Sequence, residues 1–291
     1  MKIAIASGKG GTGKTTLSVN LAQLISQQIT DNREVVLTDL DVEEPNSSVF
    51  IQGKQVNEEE EFRRVPEINF DKCTFCGRCK EVCRFNAIAT LPDNVLIFPE
   101  LCHSCNACVG LCPENAMYMK DYPMGRLEEV EKDNMHFIEA TLNIGEQQAV
   151  PLIARAIEYG NAKFKYDSLF IYDAPPGTSC PMIESVKEAD FVILVSEPTP
   201  FGLHDLKLSV ETMRKLGKPF GVVINRDGIG PDVIGEYCTE NQVSVLGRIP
   251  DSREIALLYA RGDSIFQLKL VKNSMYEIIE NLQIQTAVPI I

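Results

Sequence analysis

The chain has 291 residues, and 44% of them are hydrophobic, which is enough to form the core of one large domain or two smaller ones. Lysine and arginine number 28 against 41 aspartates and glutamates, and the net charge of −13 argues against nucleic-acid or anionic-lipid binding through a general basic surface. No cleavable basic leader opens the sequence, and no apolar run approaches the ~20 residues of a membrane span. We therefore expect a cytoplasmic protein that binds no nucleic acid and has no stable membrane association.

Strand-like apolar runs alternate with helical patterns through most of the chain. The run "KIAIAS" at 2–7 leads into a glycine-rich turn and a helical pattern, and "EVVLTDLD" at 34–41 ends in acidic residues. Further strand-like runs occupy 168–177, 191–198, 220–228 and 243–251, and helical patterns occupy 181–189, 203–216, 231–241, 252–261 and 264–283. Strands that are apolar on both faces and alternate with helices are typical of a parallel sheet with helices on both sides. We predict an α/β fold with a doubly wound, mostly parallel sheet.

Residues 57–120 interrupt this rhythm. A charged segment, "NEEEEFRRVPE", precedes a dense group of cysteines, and the polar segment 121–134 follows it. Such a change of composition inside an α/β pattern predicts a small α+β domain at 57–120, inserted into a larger domain made of 1–56 and 121–291. We interpret Glu58–Glu61 as a solvated edge or a linker.

Residues 8–15, "GKGGTGKT", fit the pattern G-x-x-x-x-G-K-[ST] of a phosphate-binding loop. Glycines let successive backbone N–H groups point at phosphate oxygens, and the helix that follows contributes its positive N-terminal end. Lys14 is expected to reach the β- and γ-phosphates, and the Thr15 hydroxyl is expected to bind Mg²⁺. The predicted nucleotide-binding residues of the loop are Gly8, Lys9, Gly10, Gly11, Thr12, Gly13, Lys14, Thr15 and Thr16.

Lys9 is not part of that general pattern. The segment "GKGGTGKTT" resembles the deviant Walker A motif, K-G-G-x-G-K-[ST]-T, of the MinD/Mrp/nitrogenase Fe protein ATPases. In that family the early lysine crosses the interface of a nucleotide-sandwich dimer and touches the phosphates bound by the other subunit. The resemblance covers the chain outside the insert. It implies ATP hydrolysis, with Lys14 acting in cis and Lys9 in trans, by a homodimer or by a heterodimer with a paralogue.

Four further segments carry the same resemblance. "TDLDVEEPN" is similar to the first switch of the family and "DAPPGT" to the second, while "INR" and "IPD" are similar to its adenine-contacting loops. The resemblance and the chemistry of phosphoryl transfer imply that Asp41 orients the attacking water, and that Asp39 and Asp173 hold Mg²⁺ through waters. The alternative for each aspartate is a helix N-cap or a turn residue. The residues implied at the adenine are Asn225, Arg226, Pro250 and Asp251.

Eight of the ten cysteines form two copies of C-x2-C-x2-C-x3-C, which begin at Cys73 and at Cys102. The copies are offset by 29 residues (102 − 73), and "CRFNAI" in the first aligns with "CPENAM" in the second. This duplication matches the bacterial two-cluster ferredoxin pattern, in which the fourth cysteine of each run ligates the other cluster. We expect two [4Fe–4S] clusters rather than zinc sites or disulfides. One is assigned to Cys73, Cys76, Cys79 and Cys112, and the other to Cys102, Cys105, Cys108 and Cys83.

Other residues near these motifs receive weaker assignments. Arg84 stands where the ferredoxin pattern has proline, so the potential of the neighbouring cluster is uncertain from sequence. His103 is interpreted as solvated filler, and Cys238 as a small buried residue or an inert surface thiol. Cys180 lies seven residues after Asp173, at the spacing of a cluster ligand in the nitrogenase Fe protein. A metal or cluster shared by two copies of Cys180 is one hypothesis, but no second suitable cysteine supports it.

The resemblance to a P-loop ATPase with an inserted two-cluster ferredoxin domain leaves three functions open. In the first, ATP binding and hydrolysis gate electron transfer from the clusters to a redox partner. In the second, the ATPase assembles or inserts an iron–sulfur or other metal cofactor in an apo-metalloprotein client. In the third, it is a positioning switch like MinD, with structural or sensing clusters. Two low-potential clusters on one chain form a path for electrons, which favours the first.

Overall fold

The computed structural model describes residues 1–29 and 33–291. These residues form two compact units. Unit 1 comprises Met1–Glu58, Leu127–Thr141 and Ile153–Ile291, and unit 2 comprises Glu59–Arg126 and Leu142–Leu152. The cysteine-rich segment 73–112 lies within unit 2, whose identity as a ferredoxin domain stays a prediction.

Eleven strands and nine α-helices are assigned in the described residues. The strands are β1 (Lys2–Ala6), β2 (Val35–Asp39), β3 (Lys54–Ile68), β4 (Ile88–Thr90), β5 (Val95–Ile97), β6 (Met117–Lys132), β7 (Met135–Leu142), β8 (Leu169–Asp173), β9 (Phe191–Ser196), β10 (Phe220–Asp227) and β11 (Val245–Pro250). The helices are α1 (Lys14–Gln28), α2 (Arg78–Val82), α3 (Ala107–Gly110), α4 (Ala149–Lys163), α5 (Cys180–Val186), α6 (Pro200–Leu216), α7 (Val233–Glu240), α8 (Arg253–Ala260) and α9 (Lys269–Thr286).

The main sheet has the order β11-β10-β9-β1-β8-β2-β7-β6-β3. Each neighbouring pair from β11 to β7 is parallel. A two-residue turn containing Asp133, whose φ is 54°, joins β6 to β7, so that these two strands are antiparallel. The predicted α/β class with a mostly parallel sheet is confirmed.

Helices cover the sheet because its strands are apolar on both faces. The five residues of β2 and of β8 are all buried. Leu17, Leu21 and Leu24 of α1 join the same core as Met275 and Ile278 of α9, and all five are fully buried. At roughly 2 kcal/mol for each buried leucine-sized side chain, this packing is a large contribution to the stability of the sheet and its helices. Within residues 1–29 and 33–291, no helix is long and apolar enough to cross a bilayer.

The charged and polar segments beside the cysteines form strands rather than linkers. Glu58–Glu61 lies in β3, the last strand of the sheet order, so the linker interpretation is wrong. The solvated-edge interpretation fits the first three of these residues but not Glu61, which is buried. The polar segment 121–134 supplies most of β6. Burial alternates along β3, but Glu61 and Arg63 occupy buried positions beside exposed Phe62. The strand was not predictable from hydrophobic alternation because charged residues take the inward places.

A buried carboxylate joins β6, β7 and α4 within unit 1. Glu129 is 0% exposed. It accepts hydrogen bonds from Tyr159 Oη and Lys163 Nζ, both at 2.5 Å, and lies 2.9 Å from His136 Nδ1. Burial by itself raises the pKa of Glu129, but Lys163, Tyr159 and His136 outweigh it and hold the pKa below its ordinary value.

We expect Glu129→Gln to lower the free energy of unfolding by about 1–3 kcal/mol at pH 7, because the amide cannot satisfy three donors. The pKa of Glu129 is depressed in the folded state, so its contribution is present at neutral pH and is lost as the pH falls through that pKa. Urea unfolding of both proteins at pH 7 measures the loss of stability, and the same measurement below pH about 4 should show a smaller difference between them. Glu211→Gln, in the exposed pair with Lys215, is the control and should change stability by less than about 0.5 kcal/mol. A Glu129 variant as stable as this control would contradict the expectation.

Candidate functional site

The turn between β1 and α1 has the backbone conformation of a phosphate-binding loop. Gly11 and Gly13 have φ of 77° and 95°, values that favour glycine. A Cβ atom on Gly13 would lie 2.2 Å from Nδ2 of Asn225, and that nitrogen donates a hydrogen bond of 2.7 Å to the Thr12 carbonyl. A Cβ on Gly8 would lie 2.4 Å from the Asp205 carbonyl oxygen. Glycine is therefore required at positions 8 and 13 by close packing behind the loop.

A cavity of about 420 Å³ opens in front of this loop. It is lined by eleven residues that the sequence predicts for the site, namely Gly10, Gly11, Gly13, Lys14, Thr15, Thr16, Asp41, Asn225, Arg226, Pro250 and Asp251. It is also lined by seven that were not predicted, namely Glu44, Asn46, Pro176, Ser252, Ile255, Ala256 and Tyr259. Glu44, Asn46 and Pro176 lie inside the two switch motifs and Ser252 directly follows "IPD", so a signal was available for these four. Ile255, Ala256 and Tyr259 lie four to eight residues beyond "IPD" and had no such signal. The predicted loop residues Gly8, Lys9 and Thr12 do not line the cavity.

Two aspartates lie side by side below the loop. Asp39 ends β2 and Asp173 ends β8, and the two residues are register partners. Asp39 accepts hydrogen bonds from the backbone N–H groups of Asp41, Asn46 and Ser47 at 3.0, 3.2 and 3.1 Å. Asp39 therefore holds the first switch segment in its observed conformation, a contact that the sequence did not predict.

Asp173 has no such partners. It is 1% exposed, and neither carboxylate oxygen has a hydrogen-bond partner within normal geometry. Burial, followed by the charge of Asp39, raises the pKa of Asp173 to about 7, while the nearby hydroxyls of Thr15 and Ser18 act in the opposite direction. A buried carboxylate with two unoccupied oxygens beside a threonine hydroxyl is a donor set that fits a hard cation such as Mg²⁺.

Lys14 and Asp41 are the charged groups of the cavity next to Asp173. Burial lowers the pKa of Lys14, and the neighbouring carboxylates of Asp173, Asp41 and Asp39 work against that effect. Burial and the charge of Asp39 raise the pKa of Asp41 to about 6. One lysine faces three carboxylates whose pKa values are raised, and a divalent cation at the loop would favour their ionised forms.

Lys9 forms an ion pair within its own chain. Its Nζ lies 2.6 Å from Oε1 of Glu197, and Oε2 of Glu197 lies 3.0 Å from Nη1 of Arg226. The Glu197 side chain is 9% exposed, whereas that of Lys9 is 31% exposed. Glu197 thus forms ion pairs with both Lys9 of the loop and Arg226 of the cavity wall. Sequence reasoning did not single out Glu197.

The eight repeated cysteines line two cavities in unit 2. The first is lined by Cys73, Cys76, Cys79 and Cys112, and the second by Cys83, Cys102, Cys105 and Cys108. These are the two groups that the repeat predicts, with the fourth cysteine exchanged between the runs. Their role as cluster ligands stays a prediction.

Backbone donors and burial act in opposite directions on the charge of these sulfurs. The backbone N–H of Ala87 donates to Cys83 Sγ and that of Ala116 to Cys112 Sγ, both at 3.3 Å. Burial, followed by repulsion from Cys102 and Cys105, raises the pKa of Cys108 to about 11. A thiolate at such a position is stabilised when metal supplies the compensating charge.

No group of three or more His, Cys, Asp or Glu side chains in the described part of the chain is arranged to hold a single metal ion.

The remaining candidates are placed as follows. His103 is exposed, and its ring stacks on Phe85 at 3.9 Å between centroids beside the second cysteine cavity. Cys238 is fully buried, in agreement with the first of its two predicted roles. Cys180 is exposed at the first position of α5, and its proposed sharing between subunits stays a hypothesis.

Comparison with known proteins assigns the larger part of the chain. Residues 3–265 match the model of the CobQ/CobB/MinD/ParA nucleotide-binding domain. The chain belongs to this family of P-loop ATPases. An uncharacterised protein of Methanocaldococcus jannaschii is 31% identical over 96% of both chains. The iron–sulfur cluster carrier protein of Pyrococcus horikoshii is 25% identical over 86% of this chain and 73% of its own length.

Two further similarities cover the fold and the cysteine-rich part of this ATPase. The septum site-determining protein MinD of Pyrococcus horikoshii, solved with Mg-ADP, superposes with a TM-score of 0.58 over 99% of both chains at 19% identity, which supports the fold alone. A ferredoxin of Alicyclobacillus acidocaldarius is 38% identical over 22% of this chain and 74% of its own length. The family member therefore combines an ATPase domain with similarity to ferredoxins.

We expect Gly13→Ala to lower nucleotide affinity at least tenfold, because the new Cβ displaces Asn225 and the positive φ is strained. Isothermal titration with Mg-ADP measures the change. Gly217→Ala is the matched control, since Gly217 also has positive φ but meets no atom within 4 Å and lies outside the cavity. Equal affinities for the two variants would contradict the assignment of the loop.

Proposed function

We propose that this protein is an ATP-hydrolysing iron–sulfur protein whose nucleotide-dependent dimer gates electron transfer from two [4Fe–4S] clusters to a redox partner. The observation that carries the proposal is the presence, in one chain, of a phosphate-loop cavity with an unpartnered buried carboxylate and of two cavities each lined by four thiols. Neither feature alone suggests coupled chemistry. Together they support the proposal that nucleotide hydrolysis is coupled to redox centres.

Within the proposed ATPase cycle each residue at the loop has one task. The loop amides and Lys14 would bind the phosphates, Thr15 would bind Mg²⁺, and Asp39 and Asp173 would hold the ion through waters. Asp41 lies at the cavity wall, where its carboxylate orients the attacking water. Asn225, Arg226, Pro250 and Asp251 contact the base. Catalysis of phosphoryl transfer consists mainly of such positioning together with charge neutralisation.

The proposed dimer depends on Lys9. In the resembling ATPases this lysine touches the phosphates of the other subunit. Here its ion pair with Glu197 keeps it within its own chain, while nearly a third of its side chain stays exposed. We propose that dimerisation exchanges Glu197 for phosphate oxygens of the second subunit, either an identical chain or a paralogue.

The clusters are proposed for unit 2 as a ferredoxin domain, centred on 57–120. The two cysteine groups would supply four thiolates to each cluster, with Cys83 and Cys112 exchanged between the runs. Support comes from the ferredoxin similarity and from the two cavities, each of which is lined by four cysteines. Each [4Fe–4S] cluster would serve as a one-electron carrier.

A second function is supported by a separate finding, the similarity to the iron–sulfur cluster carrier protein. In this alternative the ATPase assembles or inserts a metal cofactor in an apo-metalloprotein client. Complete ligation by four cysteines favours permanent clusters, whereas clusters for transfer need labile sites. For this reason we rank electron transfer first. A positioning switch like MinD ranks third, because the MinD similarity supports the fold alone.

The functional test uses protein purified without oxygen. We expect about eight iron atoms per chain, and clusters that remain bound through cycles of reduction and oxidation. An anaerobic pull-down with and without a non-hydrolysable ATP analogue identifies the partner, and ATP should change the rate at which the reduced protein reduces it. Cys76→Ala and Cys105→Ala should each lower iron content, while Cys238→Ala, outside both cavities, is the control. Transfer of iron to an apo-acceptor would instead support the second function.

We expect Lys9→Ala to bind Mg-ATP with little change but to lose about 100-fold or more in kcat, as on removal of one charge-stabilising donor at a transition state. Lys14→Ala should lose binding itself. Hydrolysis assays and light scattering with a non-hydrolysable analogue separate these effects, and Lys2→Ala, in the remote pair with Glu188, is the control. Full hydrolysis by Lys9→Ala would contradict the crossing role.

A further inference from the structure

One arginine is buried next to the second cysteine cavity. Arg63 lies on β3, and its residue is 5% exposed. Its Nη1 donates a hydrogen bond of 3.1 Å to the Cys102 carbonyl, and its Nη2 donates one of 2.8 Å to the Pro99 carbonyl. The Tyr122 ring lies 5.0 Å from the guanidinium carbon. The guanidinium is therefore held in one position against a predicted cluster ligand.

Glu146 completes this arrangement. Its Oε2 accepts a hydrogen bond of 2.9 Å from Nε of Arg63, and both side chains are 3% exposed. Its Oε1 accepts from the backbone N–H groups of Gln147 and Gln148 at 2.9 Å. The Glu146 carboxylate reduces the electric field of the Arg63 guanidinium. It is nevertheless the positively charged Arg63 that contacts the Cys102 carbonyl.

The repeat does not reproduce this environment at the other cysteine cavity. The charged side chains that line the Cys73 cavity are Arg78 and Glu114, and both are exposed to solvent. Arg78 is in turn paired with exposed Glu81. Arg63 does not line the second cavity but is buried and bonded to the Cys102 carbonyl. Solvent screens exposed charges far more effectively than buried ones, so Arg78 and Glu114 should affect the Cys73 site less than Arg63 affects the Cys102 site.

A buried positive charge stabilises the more negative state of a neighbouring redox centre. Reduction adds one negative charge to a cluster, so a fixed guanidinium at a ligand favours the reduced form and raises the potential. Arg63 donates a hydrogen bond to the Cys102 carbonyl, so its positive charge lies next to this cysteine site.

We propose that Arg63 is a positioning residue that gives the site of Cys83, Cys102, Cys105 and Cys108 the higher reduction potential of the two, and that Glu146 limits the difference. This inference rests on the proposed function in one respect, since it requires that both clusters are bound. It implies that the first electron taken up by unit 2 goes to the cluster at the Cys102 site.

The test is an anaerobic redox titration of the full-length protein with both clusters bound, followed by electron paramagnetic resonance. Glu146→Gln keeps the size of the side chain and an acceptor for Nε but removes the opposing charge. We expect it to raise the higher of the two potentials. Arg63→Gln should lower that same potential. Each change should alter the ratio of reduced to oxidised cluster at fixed potential about tenfold, which corresponds to ~59 mV for one electron.

Two neighbours on β3 supply matched controls. Arg64→Gln removes the same charge as Arg63→Gln, but Arg64 and its partner Asp121 are 60% and 69% exposed. Glu67→Gln removes a carboxylate from an exposed cluster with Tyr118 and Lys120. Both controls should leave the two potentials nearly unchanged. Cys105→Ala identifies the site, because the signal that it removes must be the one that moves in the Arg63 and Glu146 variants.

The outcomes separate this proposal from the function on which it rests. Two results would overturn the role of Arg63 while leaving both clusters established. One is equal potentials for the two clusters of the unmodified protein, and the other is a Glu146→Gln variant whose potentials match those of Glu67→Gln. Iron loss from Arg63→Gln without a shift in Glu146→Gln would show a purely structural role. An unmodified protein that binds no clusters would contradict the proposed function itself.

Discussion

Parallel pairing of β8 with both β1 and β2 is the constraint on which the nucleotide site depends. It aligns Asp173 with Ile5 on one side and with Asp39 on the other, so that both aspartates lie at the edge of the sheet where the phosphate loop begins. The fully buried leucines of α1, the helix that starts at Lys14, pack this helix against the sheet. Shifting β8 by one residue would turn the Asp173 carboxylate to the opposite face of the sheet, away from Asp39.

Burial of charge determines what each of these groups is able to do. Asp39 is satisfied by three backbone amides and therefore orders the first switch segment, whereas Asp173, equally buried, keeps both oxygens unoccupied. Two carboxylates of the same type and in neighbouring strands are thus given different tasks by their hydrogen-bond partners. In unit 2 a buried charge is compensated differently, since Arg63 has a carboxylate on one atom and backbone carbonyls on two others.

Much of the fold and of the site was predictable because its signals are local. The strands of the parallel sheet are continuous apolar runs, and the phosphate loop and the cysteine repeats have fixed spacing. The strands β3 and β6 were missed because charged residues occupy buried places along β3 and polar residues dominate β6. Glu197, Glu146 and Tyr259 were missed for another reason, since each acquires its place through contacts with residues distant in the chain.

The sequence by itself determined the chemistry available to this protein: a glycine-rich loop with two lysines, acidic residues at strand ends, and eight cysteines at repeated spacing. These features are set by residue type and separation, which folding does not change. Only the tertiary structure decided which charges are buried and what compensates them. Lys9 lies on Glu197, Asp39 is enclosed by amides, and Arg63 touches one cysteine site but not its repeat. Burial and distance set the strength of an electrostatic interaction, and neither is defined until strands far apart in sequence are packed together.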